Sequence, residues 1–214
     1  MSRYRLSLVD GKYCLRDSFS SQKPLSLSFS SPRFLRRVKA ASKNSELLAK
    51  AVGSRKGLKV VDCTAGLGRE GFLLAYLGCE VTLIERSKVI YTLLLDALNS
   101  ASFDPDLKEA VGRISLYRSD AEEFLSQHRS WDAIYIDPMF PEKKKTSLPK
   151  GDMQYLQRFL SKEKNDGSLL KMAFRCQFRR LVVKRPLKTV FNEIKNPDSF
   201  VQNDKIRYDI YSGI

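Results

Sequence analysis

The stretch L-K-V-V-D-C-T-A-G-L-G-R-E, Leu58 to Glu70, reads as a buried strand running into a glycine turn and then a helix. Leu58, Val60 and Val61 supply the short β-branched and apolar run of a central parallel strand. Gly66 and Gly68 let the turn adopt conformations closed to other residues, so a ligand can approach the backbone closely. A helix is expected from about Leu67 to Leu77, its free N–H groups and positive dipole end directed back at the turn. Gly66, Gly68 and Gly71 also spell G-x-G-x-x-G, with Glu85 nineteen residues after Gly66. That is the spacing of a dinucleotide fingerprint, but glycines also end strands for purely structural reasons, so the residues around the triplet must decide.

Downstream, E-V-T-L-I-E is a second strand ending at Glu85, followed by a helix from about Lys88 to Ala101. Ile114 to Tyr117 is a third strand ending at Ser119-Asp120, then come a helix over Ala121 to Gln127 and a fourth strand, Asp132 to Ile136, ending at Asp137. Alternating strands and helices build parallel βαβ units, whose ligands bind at the carboxyl ends of the strands. Asp62, Glu85, Asp120 and Asp137 each fall at such an end. Asp120 before A-E-E-F reads equally well as a helix N-cap. Together the four suit one ligand lying across the strand tips, with ribose hydroxyls at Glu85, a base amine at Asp120 and a cationic amino group near Asp62. S-adenosylmethionine offers all three groups and carries net positive charge.

Asp137-Pro138-Met139-Phe140 matches the D-P-x-F pattern of enzymes that methylate exocyclic amines of nucleobases. An arylamine is a poor nucleophile because its lone pair is delocalised into the ring. A carboxylate (Asp137) and a backbone carbonyl (Pro138) that accept its N–H bonds favour in-line attack, while Phe140 can stack the extruded base. Lys143, Lys144, Lys145 and Lys150 follow in the same proline-bounded loop. Beyond it, Asp152 to Leu160 and Ser168 to Phe178 read as helices and Leu181 to Lys184 as a fifth strand. Phe200 to Asn203 and Ile206 to Tyr211 form a closing antiparallel pair. The expected fold is α/β: a class I, Rossmann-like methyltransferase sheet, mostly parallel, with an antiparallel C-terminal hairpin.

At 214 residues the chain can bury one main core with a small appendage. Residues 1–31 form that appendage, a small β element announced by Asp10-Gly11 between alternating runs. Pro24 and its neighbouring serines suggest a poorly packed edge there. Residues 32–214 form the main domain, opening with one bent helix or two over Pro32 to Val52. The net charge of +14 is uneven: +10 over residues 1–56, −5 over 57–137 and +9 over 138–214. Basic flanks suit a polyanion, whose phosphates release counterions on neutralisation. Candidate RNA contacts are Arg33, Arg36, Arg37 and Lys39, then Lys143, Lys144 and Lys145, then Lys184 and Arg185 in a second basic cluster with Arg175, Arg179 and Arg180. Basic side chains at a helix start oppose its dipole, which favours a binding role for the first group. Four cysteines without a C-x-x-C pair and a single His128 argue against a bound metal. The absence of a signal-like or long apolar segment leads to the expectation of a soluble, cytoplasmic protein.

V-D-C-T-A-G-L-G-R-E, L-G-C-E-V-T-L-I-E-R, Y-I-D-P-M-F-P, V-V-K-R-P and R-Y-D-I-Y-S-G together resemble the bacterial small-subunit ribosomal RNA guanine-N2 methyltransferase family RsmJ, over about residues 33–213. The resemblance implies S-adenosylmethionine contacts at Arg69 and Glu70, Glu85 and Arg86, Ser119 and Asp120, and Asp137. It also implies the partner, small-subunit (16S) ribosomal RNA or the small ribosomal subunit, with one guanosine as acceptor. Glu70 stands where the family usually has Asp, and the region before Pro32 differs from it. From the residues alone, three alternatives stay open: a nicotinamide-dependent oxidoreductase, an amino-methyltransferase acting on adenine or cytosine, and a non-catalytic RNA-binding assembly factor.

Overall fold

A computed structural model describes residues 3–19, 23–138, 167–187 and 194–213. Seven strands form one sheet and three short ones a second. The N-terminal hairpin pairs β1 (Tyr4–Val9) with β2 (Lys12–Asp17), and β2 with β3 (Leu25–Ser26). At its turn both Asp10 (φ 49°) and Gly11 (φ 73°) are left-handed, the pairing required by a tight hairpin whose twist matches that of its strands. The segment after it is not the loose edge its serines suggested. Leu15, Leu25, Leu27 and Phe29 are buried in the main core, and Phe29 stacks on Phe72 with ring centroids 4.3 Å apart.

Two helices follow, α1 (Pro32–Ala40) and α2 (Leu47–Val52), separated by a serine-rich turn. The main sheet then unfolds in the expected alternation: β4 (Lys59–Asp62), α3 (Arg69–Tyr76), β5 (Glu80–Ile84), α4 (Lys88–Ala101), the short α5 (Lys108–Val111), β6 (Ile114–Tyr117), α6 (Ala121–Gln127) and β7 (Ser130–Ile136). After residue 166 come α7 (Ser168–Ala173), β8 (Gln177–Pro186), β9 (Ser199–Gln202) and β10 (Ile206–Ser212). The helix expected to reach Phe178 stops at Ala173. Phe174 turns out of it, and Gln177 N–H already donates to Arg129 O at the start of β7, so sheet pairing claims the residues that a helical pattern would have kept.

Strand order is β6-β5-β4-β7-β8-β10-β9, parallel from β6 to β8 and antiparallel for β10 and β9. The order reverses at β4, where a ligand crevice is expected. Side chains alternate across the sheet. Val60, Leu83, Tyr135, Val182 and Tyr208 face α1–α5, whereas Val61, Ile84, Ile134, Val183 and Tyr211 face α6 and α7. No helix among the described residues is long and apolar enough to cross a membrane.

Candidate active site

Because Asp62 pairs with Tyr135, Ile136 with Val183, and Tyr208 with Lys184, register and pleat together bring Asp62, Tyr135, Asp137, Lys184 and Tyr208 to one face at one end of the sheet. Glu85 lies two residues beyond Leu83, the partner of Asp62, on that same face. Three of the four strand-end acids therefore converge. Asp120, the fourth, is exposed and caps α6, its Oδ1 accepting from Glu122 N–H (2.8 Å) and Glu123 N–H (3.4 Å). Ser119 beside it is partly buried, with its hydroxyl on Asp120 O.

The three glycines divide by role. A Cβ on Gly68 (φ 67°) would meet Leu94 Cδ1 at 2.6 Å, and one on Gly71 would meet Leu83 Cδ2 at 2.3 Å, so both serve close packing of α3. Gly66 (φ 52°) would meet only Thr64 O, at 3.8 Å. Its backbone faces open space, and its N–H donates to Glu85 Oε2 (3.1 Å), while Glu85 Oε1 accepts from Ser87 N–H (2.7 Å). The buried Glu85 carboxylate thus ties the turn after β4 to the turn after β5. Arg69 and Glu70 begin α3 at the turn, and Arg86 is exposed just beyond Glu85.

Thr64 is a connector that the sequence reading passed over. Its N–H donates to Asp62 Oδ1 (3.1 Å), and its Oγ1 accepts from Asp137 N–H (2.7 Å), joining the tips of β4 and β7. Burial pushes the Asp62 carboxyl up to about 8, with Glu70, Asp137 and Glu85 adding to the rise. Loss of hydration also raises Asp137, opposed by Lys184, whose Nζ donates to Asp137 Oδ2 at 2.6 Å. Burial alone would lower the Lys184 ammonium; Asp137, with Glu70 and Asp62 beyond it, holds it above its ordinary value. The Tyr135 and Tyr208 hydroxyls are both raised, chiefly by burial. Asp62, Glu70, Glu85, Asp137 and Lys184 leave the pocket with an excess of acid. An open glycine backbone, the Glu85 and Asp137 carboxylates and net negative charge fit a cofactor that carries hydroxyls, an amine and a positive centre, and they disfavour a pyrophosphate.

The expected RNA contacts fare unequally. Arg33 and Arg36 are exposed on α1. Arg37 instead bridges Glu46 (3.2 Å) and Glu70 (3.5 Å), and Lys39 pairs with Asp106 at 2.5 Å. Both sit in the last turn of α1, where the dipole favours them, so Arg33, in the first turn, is the one that opposes it. Lys184 is engaged with Asp137. Arg185 is 5% exposed, with Nε 2.9 Å from Asp209 Oδ2, which corrects its reading as a phosphate contact. Phe140, Lys143, Lys144 and Lys145 lie outside the described residues, while Pro138 is partly buried directly after Asp137.

Comparison with known proteins agrees with this geometry. Residues 2–213 match a family described as "Putative SAM-dependent methyltransferase", a match that takes in the N-terminal sheet as well as the main domain. A "Ribosomal RNA small subunit methyltransferase J" from Pseudomonas aeruginosa is 36% identical over 209 residues, 94% of this chain and 79% of that protein. Another of that name from Hydrogenovibrio crunogenus is 38% identical over 193 residues, covering 88% and 70%. The crystal structure of a SAM-dependent methyltransferase from Neisseria gonorrhoeae superposes with a TM-score of 0.73 at 29% identity, covering 94% of this chain and 79% of that one.

Proposed function

The chain belongs to the SAM-dependent methyltransferase family, with S-adenosylmethionine as its cofactor, and on that premise we propose that it methylates the exocyclic N2 amine of a guanosine in small-subunit (16S) ribosomal RNA. The observation that carries the amine acceptor is Asp137-Pro138, set at the tip of β7 beside the glycine turn with its carboxylate held in the crevice. The RNA is supported by the names of the relatives and by the basic flanks, and the choice of guanine rests on the family resemblance.

When bound, S-adenosylmethionine would supply an electrophilic methyl carbon and leave as the neutral thioether, the methylated nitrogen giving up one proton to water. Asp137 Oδ1 and the Pro138 carbonyl accept the amine hydrogens and orient the nitrogen lone pair. Glu85 and the Gly66 backbone would hold the cofactor's ribose hydroxyls and Asp62 its amino group, Arg69, Glu70, Arg86, Ser119 and Asp120 would add further contacts to it, and Phe140 would stack the extruded base. Arg33, Arg36 and Lys143 to Lys145 meet phosphates, and an RNA substrate places the activity in the cytoplasm.

Transfer of labelled methyl from S-adenosylmethionine to small-subunit RNA or particles lacking the modification, with nucleoside analysis, tests the reading. N2-methylguanosine is the expected product, whereas methylated adenosine or cytidine would move the acceptor to another base. Asp137→Asn should lower the transfer rate by about 10²–10³-fold; full turnover would remove Asp137 from the chemistry.

A further inference from the structure

Lys184 entered as one of five cations in a basic C-terminal cluster, yet the register gives it a different position. Ile136 pairs with Val183 in parallel, so Asp137, just past the end of β7, and Lys184, within β8, lie side by side. Tyr208 of β10 pairs with Lys184 from the other edge. The Lys184 side chain is 26% exposed, and its Nζ lies 2.6 Å from Asp137 Oδ2. Among the described residues no donor reaches Asp137 Oδ1. The charged and titratable groups around this pair are Asp62 on β4, Glu70 on α3, Tyr135 on β7 and Tyr208 on β10, with Arg37 of α1 beyond, turned to Glu46 and Glu70. Lys184 is therefore the one cation among the described residues in contact with the Asp137 carboxylate. A phosphate would have to compete for it against three acids.

We propose that Lys184 is a positioning residue for methyl transfer: by occupying Oδ2 of Asp137 it keeps that carboxylate ionised and oriented, leaving Oδ1 to receive the acceptor amine. The role rests on the reading of Asp137 given above. Without the ammonium, a partly buried carboxylate beside two other acids takes up a proton more readily and loses an acceptor lone pair. Its side chain also loses the contact that selects one rotamer. Glu70 makes the pair necessary, because its charge, like burial, favours protonation of Asp137.

The experiment compares the wild-type protein with Lys184→Met, Lys184→Arg and Asp137→Asn. Single-turnover methyl transfer at saturating RNA and cofactor is measured across pH, and RNA affinity across salt. The protonation of Asp137 is followed by infrared spectroscopy of protein with labelled aspartate carboxyls, with Asp137→Asn assigning the band. Lys184→Met should slow transfer by about 100-fold while RNA affinity stays within about twofold and its salt slope is unchanged. The acid limb of the rate profile and the Asp137 titration should both move to higher pH. Lys184→Arg should recover at least about tenfold of the lost rate by restoring the charge. A weakened, less salt-dependent RNA affinity with normal transfer at saturation would make Lys184 a phosphate contact and overturn the proposal. Slowed transfer with an unmoved Asp137 titration would make its role merely structural and do the same. Full turnover by Asp137→Asn would overturn the reading of Asp137 and this role with it, whereas loss in Asp137→Asn with no effect of Lys184→Met would overturn the Lys184 role alone.

Discussion

Lys184 and Arg185 are adjacent cations on β8, but the pleat sends them to opposite faces of the sheet. Lys184 faces the crevice and meets Asp137, a carboxylate that is itself 35% exposed and shares its surroundings with Asp62 and Glu70. Arg185 faces the other way and meets Asp209, which is fully buried and is also held by Arg207, with Nε 2.7 Å from Oδ1. One cluster is short of positive charge and open to solvent; the other has two guanidinium groups on one carboxylate and is closed. A buried ion cluster of the second kind holds β8 to β10 at a large cost if one member is lost. A half-open pair of the first kind contributes little to stability and leaves its carboxylate available for chemistry. Electrostatic surroundings, and not residue type, separate the functional cation from the structural one.

The comparison breaks most sharply at Asp209. Asp209→Ala leaves Arg185 and Arg207 buried without their shared anion and should cost about 3–5 kcal/mol of unfolding free energy, measured by urea denaturation. Transfer per folded molecule should stay within about threefold, since no crevice group is touched. A variant of normal stability but lost activity would reverse the assignment of the two faces.

On the crevice side the expected effect depends on pH. Folded Asp62 keeps its proton up to about pH 8, whereas the unfolded carboxyl loses it near pH 4. Over that window the unfolded chain binds fewer protons, so the Asp62 contribution to stability is present at low pH and is lost as pH rises. Asp62→Asn retains an acceptor for Thr64 N–H and cannot ionise. Its stability relative to wild type should therefore grow steadily between about pH 4 and pH 8, while cofactor affinity falls. A pH-independent difference would show that Asp62 is ionised in the fold.

Arg33 and Arg36 add a third setting for a cation: exposed, with no acid partner among the described residues. Arg33→Gln and Arg36→Gln should each lower the slope of log affinity against log salt for RNA by about 0.7–0.9, with unfolding free energy unchanged. An unaltered slope would return them to solvated surface. The smallest effect belongs to Arg37, whose partly exposed bridge to Glu46 and Glu70 should be worth less than about 1 kcal/mol on Arg37→Gln, read from the denaturation midpoint.

Much of this was legible beforehand because it is local. The apolar runs of β4, β5 and β6 ended where the chain pattern placed them, α4 and α6 kept their expected bounds, and Asp10-Gly11 made its hairpin. The helical lead-in, legible as one bent helix or two, is two helices, and the stretch around Leu25, Leu27 and Phe29, polar in composition, proved to be core. Every second side chain there points inward, so serine content hid the burial of the residues between. Thr64 gave no signal of its own, since its role depends on Asp137 N–H arriving from a strand seventy-three residues away.

By itself, the sequence determined the order of strands and helices, the acids at the strand ends and the glycine turn among them, because each depends on neighbours a few residues apart. Which acids converge, and that Lys184 faces the crevice while Arg185 is buried in the scaffold, were decided only in the tertiary structure. Strand register is a property of pairs distant in the chain, and a shift of one residue would exchange the two faces.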